Sequence, residues 1–119
     1  MIIGTGVDIT EVRRLRQAVE KWGSAFLNRV FTKDELINAR KRAASLYQHL
    51  AGRFAAKEAV FKAFGEADLN WKDVEIINDL DGKPCCRILN GRGKNMDIHI
   101  SISHVKSYAV ANAVITKKA

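Results

Sequence analysis

The sequence predicts an α+β fold with a mainly antiparallel sheet packed on a long central helix. Three observations carry this prediction. Apolar residues recur at helical spacing from Val12 to Phe64, period-two alternation takes over in the second half, and one strand-like run stands at the start. Helices gathered early and strands gathered late do not read as alternating βαβ units, so the strands are expected to pair antiparallel. With 119 residues, 47% hydrophobic and 28% charged, the chain has the size and composition of one globular domain spanning 1–119. Disordered and fibrous classes are excluded by that composition.

The first strand is expected over 2–9 and includes Gly4 and Gly6. Thr10 is placed to cap the next segment, a helix in which Val12, Leu15 and Val19 recur. Its other face carries Arg13, Arg14, Arg16 and Lys21. Gly23 interrupts, and residues 24–30 form a short helical piece. Thr32 and Glu35 make a capping box that opens a helix through Leu36, Ile37 and Ala39. That helix turns basic at Arg40, Lys41 and Arg42, as the helix dipole favours.

Ser45 and Gln48 repeat the capping-box pattern and start the longest helix. Its expected apolar stripe is Leu46, Leu50, Phe54, Phe61 and Phe64, with Gly65 as its stop. Ala51, Ala55, Ala56 and Ala59 would let a neighbouring element approach closely. Strands follow over 74–77 and 85–89, joined by the turn-rich loop 79–84. Ile98, Ile100 and Ile102 alternate with His99, Ser101 and Ser103, and a last strand covers 108–116. That strand is apolar on both faces, with Val110 and Val114 on one and Ala109, Ala111, Ala113 and Ile115 on the other. A domain this small does not easily cover both, which points to oligomer contact.

Lys and Arg number 20 against 13 acidic residues, a formal charge of +7. Such a surplus attracts polyanions, whether nucleic acid, phosphorylated metabolites or an acidic protein. The start of the chain lacks a basic n-region, and no apolar run approaches the roughly 20 residues of a membrane span. The expected location is the cytoplasm. Cys85 and Cys86 are neighbours on a strand and point to opposite faces, so they read as unbridged thiols without zinc spacing.

Four features can carry chemistry. Asp8 shares a face with Gly4 and Gly6, which suits a metal or ligand approaching the backbone and equally suits a helix cap. Glu58 and Lys62 lie four apart on the long helix, an ordinary surface pair unless the helix is central, where unpaired charge is expensive. Arg53 and Lys57 precede them. His104 closes the run after Ser101 and Ser103, a set able to hold a phosphate or simply to end a strand. Gly82, Lys83 and Pro84 offer a tight turn with a cation, as many hairpins do.

In combination these residues are more specific. Gly4-Thr5-Gly6-Val7-Asp8-Ile9-Thr10-Glu11-Val12 resembles the G-x-G-V-D-I-x-x-[IV] signature of holo-[acyl-carrier-protein] synthases. The run from Arg53 to Gly65, RFAAKEAVFKAFG, resembles their second signature, R-x-A-x-K-E-A-x-x-K-A-x-G. Gly82-Lys83-Pro84, Ser101-Ile102-Ser103-His104 and Tyr108-Ala109-Val110-Ala111 continue the pattern in the family's order over essentially the whole chain. Thr5 replaces an aliphatic residue, Asn112 interrupts the last apolar strand, and neither removes a candidate ligand.

The resemblance implies a 4′-phosphopantetheinyl transferase-like fold and transfer of 4′-phosphopantetheine from coenzyme A to a serine of apo acyl carrier protein, leaving adenosine 3′,5′-bisphosphate. It implies Mg²⁺ held by Asp8 and Glu58, with Glu58 and Lys62 as catalytic residues. The coenzyme A contacts it implies are Arg53, Lys57, Lys62, Gly65, Gly82, Lys83, Pro84, Ser103 and His104. The acidic carrier would meet Arg13, Arg14, Arg16, Lys21, Phe26 and Arg29. A homotrimer with sites between subunits is implied too, with no nucleic-acid or membrane partner. A basic nucleic-acid module would show stacking aromatics or a reading helix, whereas these aromatics follow core periodicity. A magnesium-dependent phosphohydrolase could use the same carboxylates and lysine, and would release phosphate without a carrier protein.

Overall fold

The computed structural model describes residues 1–65 and 69–118. Strand β1 (Ile2–Glu11) leads into helices α1 (Val12–Trp22), α2 (Ser24–Val30) and α3 (Lys33–Arg40). The long helix α4 (Leu46–Phe64) follows, then strands β2 (Val74–Asn78), β3 (Pro84–Ile88), β4 (Met96–His104) and β5 (Tyr108–Lys117). Every pairing is antiparallel, as expected, but the strands divide into two ladders: β1-β5-β4 and the β2-β3 hairpin.

Helix α4 lies across the three-stranded sheet with its small residues inward. Ala55, Ala56, Ala59 and Val60 are wholly buried against Ala111, Ala113 and Ile115 of β5 and Ile100 of β4. The phenylalanines expected to form the main stripe are only partly buried; Phe54 and Phe61 flank Trp71, at 5.0 and 4.9 Å between ring centroids. The alanines take the deeper face because they let helix and sheet backbones approach. A second cluster packs Leu15, Val30, Phe31, Leu36 and Ala39 from α1–α3 against Leu50 and Ala51.

Gly4 and Gly6 carry the closest approach. A Cβ on Gly6 would lie 2.0 Å from the Ala59 carbonyl oxygen, and one on Gly4 2.0 Å from that of Ala63. Two strand residues advance about 6.7 Å and four helix residues about 6 Å, so glycines two apart meet carbonyls four apart. Strand alternation puts Asp8 on the same face as the glycines, and the seam delivers it to the side of α4.

Two expected helix starts differ. Strand β1 runs on to Glu11, so Thr10 is no cap; its hydroxyl donates to Asp8 Oδ2 at 2.9 Å, and Val12 N–H donates to the Ser107 carbonyl. The box at Thr32 and Glu35 forms as expected. The one at Ser45 does not, although α4 begins after it: the Ser45 N–H is already given to the Arg42 carbonyl in the turn Ala43–Ser45, leaving Gln48 no donor to reach. Gly65, at φ 76°, ends α4 as expected. Cys85 and Cys86 are free, and burial pushes the Cys86 thiol up to about 12.

Among the described residues nothing covers the outer face of the three-stranded sheet. Ile3, Val7 and Ile9 of β1 are 46%, 61% and 66% exposed, beside Tyr108 and Val110 of β5. The inner residues of β5, from Ala109 to Ile115 in alternation, are buried, so the two-sided apolar character read from the sequence is present.

The seam makes a direct prediction. Gly6→Ala should lower stability in urea unfolding by about 1–3 kcal/mol or more, because the methyl has only helix backbone to displace. Thr5→Ala, on the outward face, should stay within about 0.5 kcal/mol. Equal effects of the two would remove the seam from the account.

Candidate active site

The β1–α4 seam places three charged groups together. Lys62 Nζ donates to the Val7 carbonyl at 3.0 Å and pairs with Asp8 Oδ1 at 3.3 Å. Glu58, one turn earlier on α4, is half-buried. Its carboxyl is held above the usual range by burial and then by the charge of Asp8, while Lys62 pulls the other way. A carboxylate whose protonation is raised by a second one beside it, with only oxygen donors, matches the ligand chemistry of a hard divalent cation. Among the described residues no third His, Cys, Asp or Glu completes a cluster, so such an ion would keep positions for water and substrate oxygens. Asp8 opens into a cleft of about 310 Å³ lined also by Thr10, Glu11, Arg14, Phe26 and Phe54.

A second cleft, of about 230 Å³, gathers Arg53, Gly82, Pro84 and His104. Arg42, His49 and Asn78 line it too, and the sequence reading singled out none of these three for the site. Arg53 donates to Asn78 Oδ1 at 2.8 Å. The loop entering the cleft is built by Asp79, whose Oδ1 accepts from the N–H groups of Asp81 and Lys83, both at 2.9 Å. Gly82, at φ 83°, makes the turn that L side chains rarely adopt. His49 sits one turn before Arg53 on α4, a spacing visible in the sequence; Arg42 and Asn78 come from elements that only the fold brings together.

Other expected residues fall elsewhere. Lys57 is wholly buried, and its three ammonium hydrogens go to Glu35 Oε1 at 2.7 Å, the Val30 carbonyl at 2.8 Å and the Trp71 carbonyl at 2.9 Å. It has no donor left for coenzyme A, and the expectation that it touches that ligand is corrected. Glu35 also accepts from the Thr32 and Ile76 N–H groups, and Thr32 donates to Glu75, which pairs with Arg87. Burial lowers the Lys57 ammonium from its usual range; the charge and hydrogen bond of Glu35, and then the charge of Glu75, pull the other way.

Ser103 is registered with outward-facing Val110 and His104 with buried Ala109, so the two lie on opposite faces of the sheet. One chain does not bring them to one phosphate. Gly65 and Lys83 are exposed and line neither cleft.

Arg14 and Phe26 line the cleft with Asp8. Arg16 pairs with Glu20 at 3.5 Å and lies over the Tyr47 ring, while Lys21 lies over Trp22. Arg13 and Arg29 are exposed. Of the six, Arg14 and Phe26 are the two that the structure places at the opening.

Known proteins resemble this chain over nearly its whole length. The family model described as ACPS, 4′-phosphopantetheinyl transferase superfamily, matches residues 4–113. A holo-[acyl-carrier-protein] synthase of Protochlamydia amoebophila is 48% identical, over 96% of this chain and 98% of its own length. One from Thermodesulfovibrio yellowstonii is also 48% identical, over 98% and 100%. Among solved structures, a holo-(acyl-carrier-protein) synthase from Bacillus anthracis in complex with CoA (3′,5′-ADP) superposes with a TM-score of 0.85 at 36% identity, covering 100% of this chain and 99% of that one. The chain therefore belongs to the holo-[acyl-carrier-protein] synthases, enzymes of the 4′-phosphopantetheinyl transferase superfamily.

The placement of Lys57 is testable. Lys57→Met leaves Glu35 buried without its cation and should cost about 3–5 kcal/mol in urea unfolding. Unchanged stability with lost coenzyme A binding would return Lys57 to the ligand site.

Proposed function

We propose that this enzyme transfers 4′-phosphopantetheine from coenzyme A to a serine hydroxyl of an apo acyl carrier protein, releasing adenosine 3′,5′-bisphosphate. The juxtaposition of Asp8, Glu58 and Lys62, with Asp8 opening into a cleft, carries the reading. The serine oxygen attacks the phosphorus next to the pantetheine; that P–O bond forms as the bond to the nucleotide's 5′-phosphate breaks. Glu58, a carboxylate held above its usual range, takes the hydroxyl proton. The Lys62 ammonium binds the pyrophosphate and stabilises the leaving phosphate. Asp8 and Glu58 would hold Mg²⁺, which when bound neutralises pyrophosphate charge and orients the phosphorus under attack.

Arg53, His104 and the turn from Gly82 through Lys83 to Pro84 receive the adenosine end of coenzyme A. Arg13, Arg14, Arg16, Lys21, Phe26 and Arg29 steer and seat the acidic carrier, an attraction that weakens with salt. The basic surplus thus has a protein partner and no nucleic acid is required. Among the described residues no helix is long and apolar enough to cross a membrane, in keeping with a cytoplasmic enzyme of fatty acid synthesis.

The working unit is a homotrimer. Among the described residues the cleft at Asp8 and the cationic cleft share no lining residue, and Arg53 and Glu58, five apart on α4, point to different sides of the helix. A neighbouring subunit that covers the apolar outer face of β1 and β5 would complete each site from two half-sites and would reach Ser103 from the outer side.

Intact-mass spectrometry of an apo carrier protein incubated with coenzyme A, Mg²⁺ and enzyme should show a phosphopantetheine-sized gain that EDTA abolishes. Glu58→Gln should cut that rate by at least about 100-fold while the oligomer stays folded. Full activity in this variant would reject the site assignment. Light scattering should give the mass of three chains, and a monomer at working concentration would reject inter-subunit sites.

A further inference from the structure

His49 lines the 230 Å³ cleft and also an adjoining one of about 280 Å³. The wall common to the two consists of Arg42, His49, Arg53 and Asn78, and among the described residues no aspartate or glutamate lines either cleft. Lys41 lines the second and His104 the first. Among the described residues, neither Arg42 nor Arg53 is in a salt bridge with a carboxylate. Within this cationic wall, His49 Nε2 is buried and has no hydrogen-bond partner. Buried polar atoms without partners are rare, and one at a cleft wall points to a ligand that completes it. Burial, and then the charges of Arg53, Arg42 and His104, lower the imidazole to about 4 and keep it neutral in the free protein.

A nucleobase edge would satisfy Nε2 but leave the arginine charges unanswered. A phosphomonoester dianion answers both, since it accepts from the two guanidinium groups and from the imidazole. We propose that His49 is a specificity-determining residue of the nucleotide cleft, its Nε2–H donating to the 3′-phosphate of coenzyme A alongside Arg42 and Arg53. This rests on the coenzyme A reading given above. A bound dianion offsets the Arg42, Arg53 and His104 charges that add to burial in keeping His49 neutral, and its own charge favours the imidazolium, so the complex holds more protons than the free protein. Binding then takes up protons and tightens as pH falls.

Isothermal titration of the full-length protein with coenzyme A and with dephospho-coenzyme A, in buffers of differing ionisation enthalpy, tests this. The unaltered protein should prefer coenzyme A and take up protons on binding it. His49→Phe should bind coenzyme A about tenfold or more weakly, with dephospho-coenzyme A unchanged and proton uptake reduced. His49→Gln, which keeps a polar side chain without a titrating group, should recover part of the affinity and none of the lost uptake. The inference is overturned if both variants bind coenzyme A with unaltered affinity and proton uptake, or if both ligands weaken equally. It falls alone if the unaltered protein binds the two ligands equally well. Should the unaltered protein bind neither, the coenzyme A reading falls and takes this inference with it. Circular dichroism of both variants establishes that they are folded.

Discussion

The structure depends on the contact between the backbone of β1 and the backbone of α4. It is a contact of absences: no side chain at Gly4 or Gly6, and only methyl groups on the facing helix at Ala59 and Ala63. Dispersion between close-packed backbones replaces the interdigitated side chains of an ordinary helix–sheet interface. Because the spacing is so short, strand and helix cannot slide without collision. The relative placement of Asp8 and Lys62, 54 positions apart in sequence, is fixed by that constraint. The charged groups that the proposed transfer brings to one phosphate are therefore held by the part of the protein with the least freedom.

A second constraint holds the helical half to the hairpin. Glu35 belongs to α3, Lys57 to α4 and Glu75 to β2, and Thr32 links two of the three. A carboxylate that caps its own helix also takes a backbone N–H from the hairpin and an ammonium from α4. Buried charge of this kind contributes less through attraction than through penalty, since any arrangement that separates the partners strands a charge in a dry interior. The hairpin that carries the Asp79 loop is tied to α4 in this way, and the cationic cleft lies along the same junction.

Much of this was legible in the residues. Helix α4 and its glycine stop, the Thr32 capping box, the hairpin and the two-sided last strand all have local signals, and local signals are read from spacing. The Asp8, Glu58 and Lys62 grouping was legible only through the family's motifs, because no spacing rule joins a strand to a helix 50 residues on. Lys57 misled because its charge, beside Glu58 in a signature, looks like ligand chemistry; burial, which sequence does not display, assigns it to Glu35 and two carbonyls. Ser103 and His104 are neighbours in sequence, and the two-residue period of a strand separates them. Thr10 and Ser45 show the same limit at smaller scale, for a capping residue acts only where its backbone has no prior partner.

The uncovered outer face has a consequence for the life of a newly made chain. Strand β1 is an edge of its sheet, and a lone chain shows Ile3, Val7 and Ile9 along that edge with unpaired backbone beside them. Edges of this kind recruit whatever strand comes near. Association into the proposed trimer therefore competes with indiscriminate pairing, and the competition is decided by how many sister chains are nearby. Dilution would weaken the native state through mass action, and slow encounter during synthesis would favour aggregates. If the proposed trimer is the working unit, the vulnerable interval lies after folding, while a finished subunit still waits for its neighbours.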